Sequence, residues 1–397
     1  MNARHRILHV LPDLARGGGQ FVVLGLVAHA DTSRFEVHVT RLRPPDDLRA
    51  DLEAVGARYF PLRHGDEGTL AAALELSRHV RRRGIDLIQV HSGPDRKVGQ
   101  LAAVLTGVPV VGHLHSPWAH LRPMHGERAG VLARRWSSLK ANARTALERR
   151  AVRHYLAASD EVATFHRSHV RAPIGIARNG VDLDRFAPTT AQSRREARRA
   201  LQLPTDARVL ICVGRLATGK GQDELIATLP AISDAVLVIV GEGDRRESLV
   251  AQATELGVLD RMLFVGERTD VEALLPAADI FAFASLSEGL PLAVLEAMAT
   301  SLPIVAYDLP GLRSVVTDRH DGRLVPLGDR AALAVAIEGL LDNERERIGM
   351  ARAARATVAA RFDARLMTRH AEAAYGAVLG IHPLHPRRTG DHHLVAH

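Results

Sequence analysis

The sequence has 397 residues, of which 46% are hydrophobic and 24% are charged, as in folded globular proteins and unlike disordered or coiled-coil chains. At about 150 residues per domain, this length predicts two or three domains. The net charge of +7 allows anionic partners, but aromatic residues make up only 4% and do not interleave with basic stretches, which disfavours binding to nucleic acid.

The first half of the chain alternates short β-branched runs with longer amphipathic runs, which predicts a parallel sheet with crossover helices. Helices are predicted near residues 20–29 and 70–83, and strands at 6–11, 35–41, 59–61, 87–91, 110–115 and 156–158. Three glycines follow the first strand. Two of them, Gly18 and Gly19, would let backbone N–H groups approach a ligand closely.

The second half repeats this alternation more clearly. Helices are predicted to begin at Gly221 and Leu290, and strands at 208–214, 236–241, 262–265, 280–284, 304–306 and 324–325. We therefore expect two Rossmann-like, doubly wound α/β domains facing across a cleft. Their predicted extents are 1–187 and 188–380, and the last helix could pack back on the first domain. A flexible tail is expected at 381–397.

Two nucleotide-binding signatures fail in this sequence. The loop that ends at Gly221 nearly matches a P-loop, but this glycine stands where Ser or Thr would offer a hydroxyl to Mg²⁺. A dinucleotide fingerprint beginning at Gly241 has Arg246 in place of its third glycine, which disfavours a nicotinamide dehydrogenase. Two cations, Arg215 and Lys220, remain beyond the strand and would suit a diphosphate. Solvated surface charges are the plainer alternative, although the chain has only three lysines.

The segment 285–297 carries a second candidate site. Gly289 relieves the backbone after an apolar strand, and Pro291 suits the first turn of a helix whose free N–H groups could bind an anion. Glu288 stands before that turn and Glu296 lies eight residues later, about 12 Å along a helix at ~1.5 Å per residue. Such a pair could hold both ends of a nucleotide sugar. The alternative is one capping and one surface glutamate.

In their order and spacing these motifs resemble glycosyltransferase family 4, from about residue 7 to residue 378. The resemblance is carried by the E-x7-E pair with Gly-Leu-Pro inside it, the N-terminal glycine loop, Asn179-Gly180-Val181-Asp182, the 213–221 loop and Gly241-Glu242-Gly243. It implies the GT-B architecture of two Rossmann domains, in which the first (1–187) binds the acceptor and the second (188–380) binds the nucleotide sugar. It also implies sugar transfer from a nucleotide donor with retention of anomeric configuration, and no catalytic metal or other cofactor.

Residue by residue, the resemblance implies a set of donor phosphate contacts. Arg215 and Lys220 would neutralise the diphosphate, and the backbone amides of Gly289 and Leu290 would bind phosphate or sugar. Gly18 and Gly19 match the loop that closes over the diphosphate.

The resemblance also implies contacts to the sugar and the nucleoside. Glu288 would contact the transferred sugar, Glu296 would hold the ribose hydroxyls, and His115 matches the active-site histidine of the first domain. Gln20 departs from the family, because many relatives carry glutamate there.

The chemistry leaves several alternatives open at the level of the sequence. The acceptor hydroxyl could attack from the face that the diphosphate leaves, or Glu288 could form a covalent glycosyl–enzyme. The donor is expected to be uridine-linked, and the acceptor a glycan, a lipid-linked sugar or a small metabolite. A nucleotide-sugar epimerase and a catalytically silent nucleotide-sugar-binding subunit are the competing functions.

Two patterns imitate metal sites. Asp182-Leu183-Asp184 spells the D-x-D of another glycosyltransferase architecture, and His113 and His115 would point to one side of a strand, with His120 and His125 nearby. Without an acidic cluster or a second cysteine, we expect one catalytic histidine and no metal site.

The remaining features concern the compartment. Cys212 is the single cysteine, which fits a reducing compartment, and neither a membrane span nor an export signal is visible, so we expect a cytoplasmic protein. Residues 131–155 are predicted to form a basic amphipathic helix. It would pack on its own domain or, alternatively, make peripheral contact with anionic lipid on the inner face of the membrane.

Overall fold

The computed structural model describes residues 4–65, 67–91, 94–115 and 145–381. These residues form two parallel sheets flanked by helices, which confirms the predicted fold of two Rossmann-like α/β domains. Within the described ranges, every helix is too short or too polar to span a lipid bilayer.

The first sheet has seven strands in the order β3-β2-β1-β4-β5-β6-β7. Its strands are β1 His5–Leu11, β2 Phe35–Arg41, β3 Arg58–Pro61, β4 Leu87–Val90, β5 Val110–Leu114, β6 Val152–Ala157 and β7 Ile174–Ile176. Its helices are α1 Gly18–Ala28, α2 Arg49–Ala54, α3 Thr69–Arg83, α4 Pro94–Thr106 and α5 Asp160–His166. The order reverses between β1 and β4, and doubly wound sheets bind their ligands at such a reversal.

The second sheet has six strands in the order β10-β9-β8-β11-β12-β13. Its strands are β8 Arg208–Val213, β9 Ala235–Val240, β10 Met262–Gly266, β11 Ile280–Phe283, β12 Ile304–Tyr307 and β13 Gly322–Val325. Its helices are α6 Ala191–Ala200, α7 Gln222–Thr228, α8 Arg246–Glu255, α9 Val271–Leu274, α10 Leu292–Ala299, α11 Pro310–Arg313, α12 Arg330–Asp342 and α13 Glu344–Arg361. Here the order reverses between β8 and β11, the strands that precede the two predicted donor-binding loops.

A last helix, α14 Ala364–Leu379, returns from the second domain to the first. Its buried face includes Met367 and Tyr375, which join a core cluster with residues of the first sheet and α1. The Glu372 carboxylate accepts a hydrogen bond of 2.7 Å from the backbone N–H of Asp31. The helix therefore ties the two domains together on the face of the first sheet that α1 also covers.

The helix predicted at 131–155 is wrong at its C-terminal end. Residues 145–151 are helical, but the following residues form β6, which pairs with β5 on one side and β7 on the other. Tyr155 is buried against Gly112, where an added Cβ would lie 2.4 Å from the tyrosine ring. The local arginines suggested a helical face, whereas burial within the sheet decided the conformation. Residues 131–144, the main part of the lipid-contact prediction, lie outside the described residues.

Candidate active site between the two sheets

Two loops of the second domain meet where its strand order reverses. The loop after β8 and the loop after β11 share a hydrogen bond from the Leu286 N–H to the Gly219 carbonyl, 2.9 Å long. Gly221 has φ +76°, and a Cβ added there would lie 1.9 Å from the Ala284 carbonyl oxygen. This contact explains why the P-loop serine or threonine is absent, since a side chain at that position would collide with the neighbouring loop.

The structure makes this requirement for glycine testable. Replacing Gly221 by serine should lower the free energy of unfolding by about 3 kcal/mol or more, because a left-handed backbone and a backbone clash combine. Gly219→Ser is the matched control: its φ is +85°, but nothing lies within 4 Å of an added Cβ. It should cost only about 1–2 kcal/mol. Urea unfolding measures both variants, and equal losses would contradict the proposed clash.

Lys220 and Glu288 form the centre of the site. The lysine Nζ lies 2.8 Å from the glutamate Oε1, and the hydroxyl of buried Ser285 donates a second 2.8 Å hydrogen bond to the same oxygen. The Glu288 side chain is only 14% exposed, against 39% for Lys220. The carboxylate is therefore held in one orientation, while the ammonium stays accessible to an anion. Arg215 is exposed in the same loop, and its guanidinium has no hydrogen-bond partner in the described part of the chain.

The turn before α10 presents free backbone donors. The N–H groups of Gly289 and Leu290 donate no hydrogen bond to any described residue, whereas the Leu290 carbonyl accepts one of 3.2 Å from the buried Asn179 amide. A Cβ added at Gly311 would lie 2.1 Å from the Gly289 carbonyl, so that glycine allows close packing behind the turn. Leu292, the first residue of α10, packs on the core of the first domain. The anion-binding end of this helix thus lies at the domain junction.

Glu296 is partly buried on α10, and its carboxylate has no hydrogen-bond partner in the ranges described. Burial raises the pKa of Glu296 to about 7, and the nearby Glu272 carboxylate adds to this shift. Arg185 opposes it but is engaged by Glu272 at 2.8 Å. A ligand whose hydroxyl groups donate hydrogen bonds to this carboxylate would stabilise its ionised form.

The first domain contributes a cluster of histidines. His115 follows β5, and its Nε2 lies 3.2 Å from Nδ1 of His91, which follows β4. The His91 Nε2 lies 3.0 Å from Nδ1 of His9 on β1, and the rings of His113 and His115 stack at 4.3 Å. Burial lowers the pKa of His115 to about 4 and that of His9 to about 3, so these rings are neutral near pH 7. A neutral His115 ring can donate or accept a hydrogen bond but carries no positive charge.

The glycine loop after β1 leaves space for a ligand. A Cβ added at Gly18 or Gly19 would meet no atom within 4 Å, and the first turn of α1 begins there. Gln20, the departure from the family pattern, donates a 2.8 Å hydrogen bond to Asp13. In this chain, position 20 stabilises the loop.

The D-x-D sequence does not gather its carboxylates around one point. Asp182 accepts hydrogen bonds from the backbone N–H groups of Asp184 and Arg185, and it lies 3.5 Å from His29. Asp184 is ion-paired with Arg365. Both aspartates therefore stabilise the segment that connects the two domains.

Of the second-domain residues predicted from the sequence, Lys220 and Glu288 are in direct contact, and Gly289 and Leu290 form the adjoining turn. Arg215 shares the loop of Lys220, and Glu296 lies further along α10 without a contact to either residue of the pair among the described residues. His115, Gly18 and Gly19 all lie beyond the carboxyl ends of first-sheet strands. Sequence reasoning missed several polar groups that support these residues, namely Ser285, His9, His91, Gln89 and Tyr375. The histidine cluster could have been predicted from the sequence, because His9, His91 and His113 lie at or near the ends of three predicted strands. In a doubly wound sheet these three strands are neighbours.

Comparison with known families gives a consistent result over most of the chain. The family model described as "Glycosyltransferase Family 4" matches residues 16–185, and the one described as "Glycosyl transferases group 1" matches residues 193–357. Together they span strands β2 to β13, with the gap between the two matches falling between β7 and β8.

Individual relatives agree with these matches. A 2-deoxystreptamine glucosyltransferase from Streptomyces kanamyceticus is 31% identical over 349 residues, covering 84% of this chain and 88% of that protein. A UDP-Gal:alpha-D-GlcNAc-diphosphoundecaprenol alpha-1,3-galactosyltransferase from Escherichia coli is 29% identical over 283 residues, covering 69% and 71%. The structure of Anabaena Alr3699/HepE with UDP and glucose superposes with a TM-score of 0.80 at 22% identity, covering 94% of this chain and 100% of that one. This likeness shows the shared GT-B fold.

Proposed function

This chain belongs to glycosyltransferase family 4, and on that premise we propose that it is a retaining hexosyltransferase which moves a sugar from a UDP-linked donor to a hydroxyl acceptor. One observation carries the proposal: the Lys220–Glu288 pair lies beside the free N–H groups of the Gly289–Leu290 turn. Cations and helix N-termini suit a diphosphate, and a carboxylate suits the hydroxyls of a sugar.

The proposed donor orientation follows from the charges. The diphosphate lies against Lys220 and Arg215, with the glycine loop of Gly18 and Gly19 covering it from the first domain. The transferred sugar lies beside Glu288, and the ribose hydroxyls donate to Glu296. The structurally similar Anabaena Alr3699/HepE has been solved in complex with UDP and glucose and with UDP-glucose, and these complexes support a uridine-linked donor here.

Bond breaking at the anomeric carbon places negative charge on the leaving diphosphate and positive charge on the sugar ring. Lys220, Arg215 and the two free amides stabilise the first of these charges without reorganising, because they are already in place. The acceptor hydroxyl attacks from the face that the diphosphate leaves, and a phosphate oxygen takes its proton. The configuration is thereby retained. Neutral His115 contributes a hydrogen bond to the sugar or the acceptor.

A donor screen tests this assignment in two stages. Calorimetry with nucleoside-diphosphate sugars identifies the donor, and acceptor-dependent release of nucleotide then measures transfer to glycans, lipid-linked sugars and small polyhydroxyl metabolites. Donor binding with transfer supports the proposal. Binding without any turnover would instead indicate a silent subunit, and a sugar product formed without an acceptor would indicate an epimerase or a hydrolase.

We also propose that transfer needs no metal ion or other cofactor, since the diphosphate charge is met by side chains and backbone amides. Treatment with EDTA should leave the rate of transfer at its initial value or raise it. A loss of transfer that added Mg²⁺ or Mn²⁺ restores would contradict metal-independent chemistry.

The raised pKa of Glu296 predicts a pH dependence of donor affinity. The ionised carboxylate accepts hydrogen bonds from ribose hydroxyls, and because its pKa is about 7 it becomes protonated as the pH falls through neutrality. The affinity for UDP-glucose should therefore fall roughly 10-fold between about pH 8 and about pH 6. Calorimetry measures this affinity, and below neutral pH donor binding should also release a proton.

Glu296→Gln provides the matched control, because the amide keeps the shape of the side chain but does not titrate. Its affinity for UDP-glucose should be weaker at high pH and nearly constant across the range. The same pH slope in the variant and the parent protein would mean that another group titrates and that Glu296 does not hold the ribose.

The predicted contact of residues 131–155 with anionic lipid, and with it a position on the inner face of the membrane, stays a prediction. Flotation with liposomes of increasing anionic lipid content measures it directly. Flotation that does not depend on anionic lipid would remove it.

A further inference from the structure

Three imidazoles converge next to the proposed acceptor side of the site. His91, His113 and His115 each offer one ring nitrogen, and these three nitrogens lie within 4.8 Å of one another. They come from neighbouring strands, because β4 pairs with β5 in register Val90 to Gly112. His113 on β5 and His115, which directly follows that strand, are separated by one residue and so point to the same face. The sheet itself therefore builds this cluster.

One pair of nitrogens already has the spacing of zinc ligands, and the third nitrogen lies within 4.8 Å of both. Zinc binds imidazole nitrogens at about 2.0–2.1 Å, so two nitrogens in a tetrahedral site lie about 3.3–3.4 Å apart. The Nδ1 of His91 and the Nε2 of His115 are 3.2 Å apart. The Nε2 of His113 is buried and has no hydrogen-bond partner among the described residues, which leaves it available to an ion. We propose that His91, His113 and His115 form a binding site for Zn²⁺, with a fourth position open to water or substrate.

In two of these histidines, the ring nitrogen that faces away from the proposed ion contacts a buried polar side chain. His9 is buried and lies 3.0 Å from the Nε2 of His91, the ring nitrogen that faces away from His115. Gln89 lies 3.2 Å from the Nδ1 of His113 and is itself hydrogen-bonded to Tyr375 of α14. Metal-binding histidines commonly use their second nitrogen in this way, which fixes the ring orientation.

Occupation of this site would block transfer. His115 would direct its Nε2 at the ion, and the open fourth position would place a cation near the sugar ring, which itself gains positive charge during the reaction. This consequence rests on the proposed function, whereas the binding of the metal does not. The prediction that transfer needs no metal is compatible with it, because here zinc acts as an inhibitor. The proposal does replace the expectation from the sequence that His113 and His115 form no metal site.

The test uses the full chain without a polyhistidine tag. Cobalt(II) replaces zinc as a spectroscopic probe, because its visible absorption reports whether the bound ion is four-coordinate. Calorimetry gives the stoichiometry and affinity of Zn²⁺ binding. We expect one tight site per chain. His91→Asn should weaken its affinity more than ~100-fold, and His9→Leu, which alters only the supporting group, roughly 10-fold.

The C-terminal segment supplies the matched control, because it contains five histidines of its own, at positions 382, 385, 392, 393 and 397. His392→Asn with His393→Asn in the full chain should leave the tight site intact. Loss of that site in the tail variant, or its persistence in His91→Asn, would overturn the proposal.

X-ray absorption of the zinc-loaded parent protein counts its imidazole ligands and needs no variant, so the proposal stays testable if His91→Asn does not fold. Three imidazoles support the site, and fewer than three overturn it. Zinc should also inhibit transfer, and EDTA should reverse the inhibition. Transfer that is unchanged at saturating zinc would overturn the inhibitory role, whereas zinc binding by a chain that transfers no sugar would count against the proposed function alone.

Discussion

Replacing Lys220 by alanine should lower the turnover of sugar transfer at least ~100-fold, equivalent to about 2.7 kcal/mol of transition-state stabilisation. The ammonium lies 2.8 Å from Glu288 at the strand-order reversal, where the leaving diphosphate would gain negative charge. Removing it also leaves the partly buried Glu288 without its counter-charge. Steady-state release of UDP with a saturating acceptor measures the loss, which should appear in turnover rather than in donor affinity alone.

Two controls separate this effect from general loss of charge. Arg49→Ala breaks an exposed pair with Glu53 of 3.2 Å, remote in sequence from both donor loops, and should leave turnover unchanged. Lys220→Arg keeps the charge but not the compact point geometry, so it should retain part of the activity. Near-normal turnover in Lys220→Ala with an intact melting transition would contradict the placement of the diphosphate.

Replacing Glu288 by alanine should also reduce turnover at least ~100-fold, by analogy with the loss of one preorganised transition-state contact. Its carboxylate is oriented by Lys220 and by the hydroxyl of Ser285, both through the same oxygen. Among the described residues this arrangement leaves Oε2 without a hydrogen-bond partner, and the proposed sugar would take that place. Donor binding should persist in the variant, because the phosphate-binding amides and Arg215 remain, and calorimetry checks that separation.

The Glu288 variant also distinguishes the two routes to retention. If the acceptor attacks from the leaving-group face, added azide should not restore turnover in Glu288→Ala. If Glu288 is a covalent nucleophile, azide could occupy the space and yield a glycosyl azide of inverted configuration. Glu53→Gln is the matched control: it pairs with Arg49 at 3.2 Å on α2, outside both donor loops, and should keep normal turnover. Full activity in Glu288→Ala would contradict its contact with the sugar.

Lys220 and Glu288 are expected to couple, because they touch although 68 residues separate them in the chain. The double variant should lose less activity than the product of the two single losses, since each single change also disturbs the other partner. Strictly multiplicative losses would indicate that the pair does not act as a unit during transfer.

The fold class and the residue types of the candidate second-domain site could be predicted from local sequence patterns. Apolar runs separated by Gly and Pro predicted the alternation of strands and helices, and both sheets confirm it. The E-x7-E segment and the lysine-bearing loop carry their chemistry within short stretches. Such sites can be predicted from local sequence patterns, because residues that are close in the chain are also close in the turn that they form.

Tertiary structure alone decided the contacts between distant segments and the effects of burial. The histidine cluster joins residues of β1, β4 and β5, and only the strand order brings these positions together. The 152–157 segment became a strand because pairing on both sides outweighed its local helical pattern. The pKa of Glu296 rises because packing removes water from its carboxylate. Burial is a property of the whole fold, so neither the neutral histidines nor this titrating glutamate could be inferred from residue type and spacing.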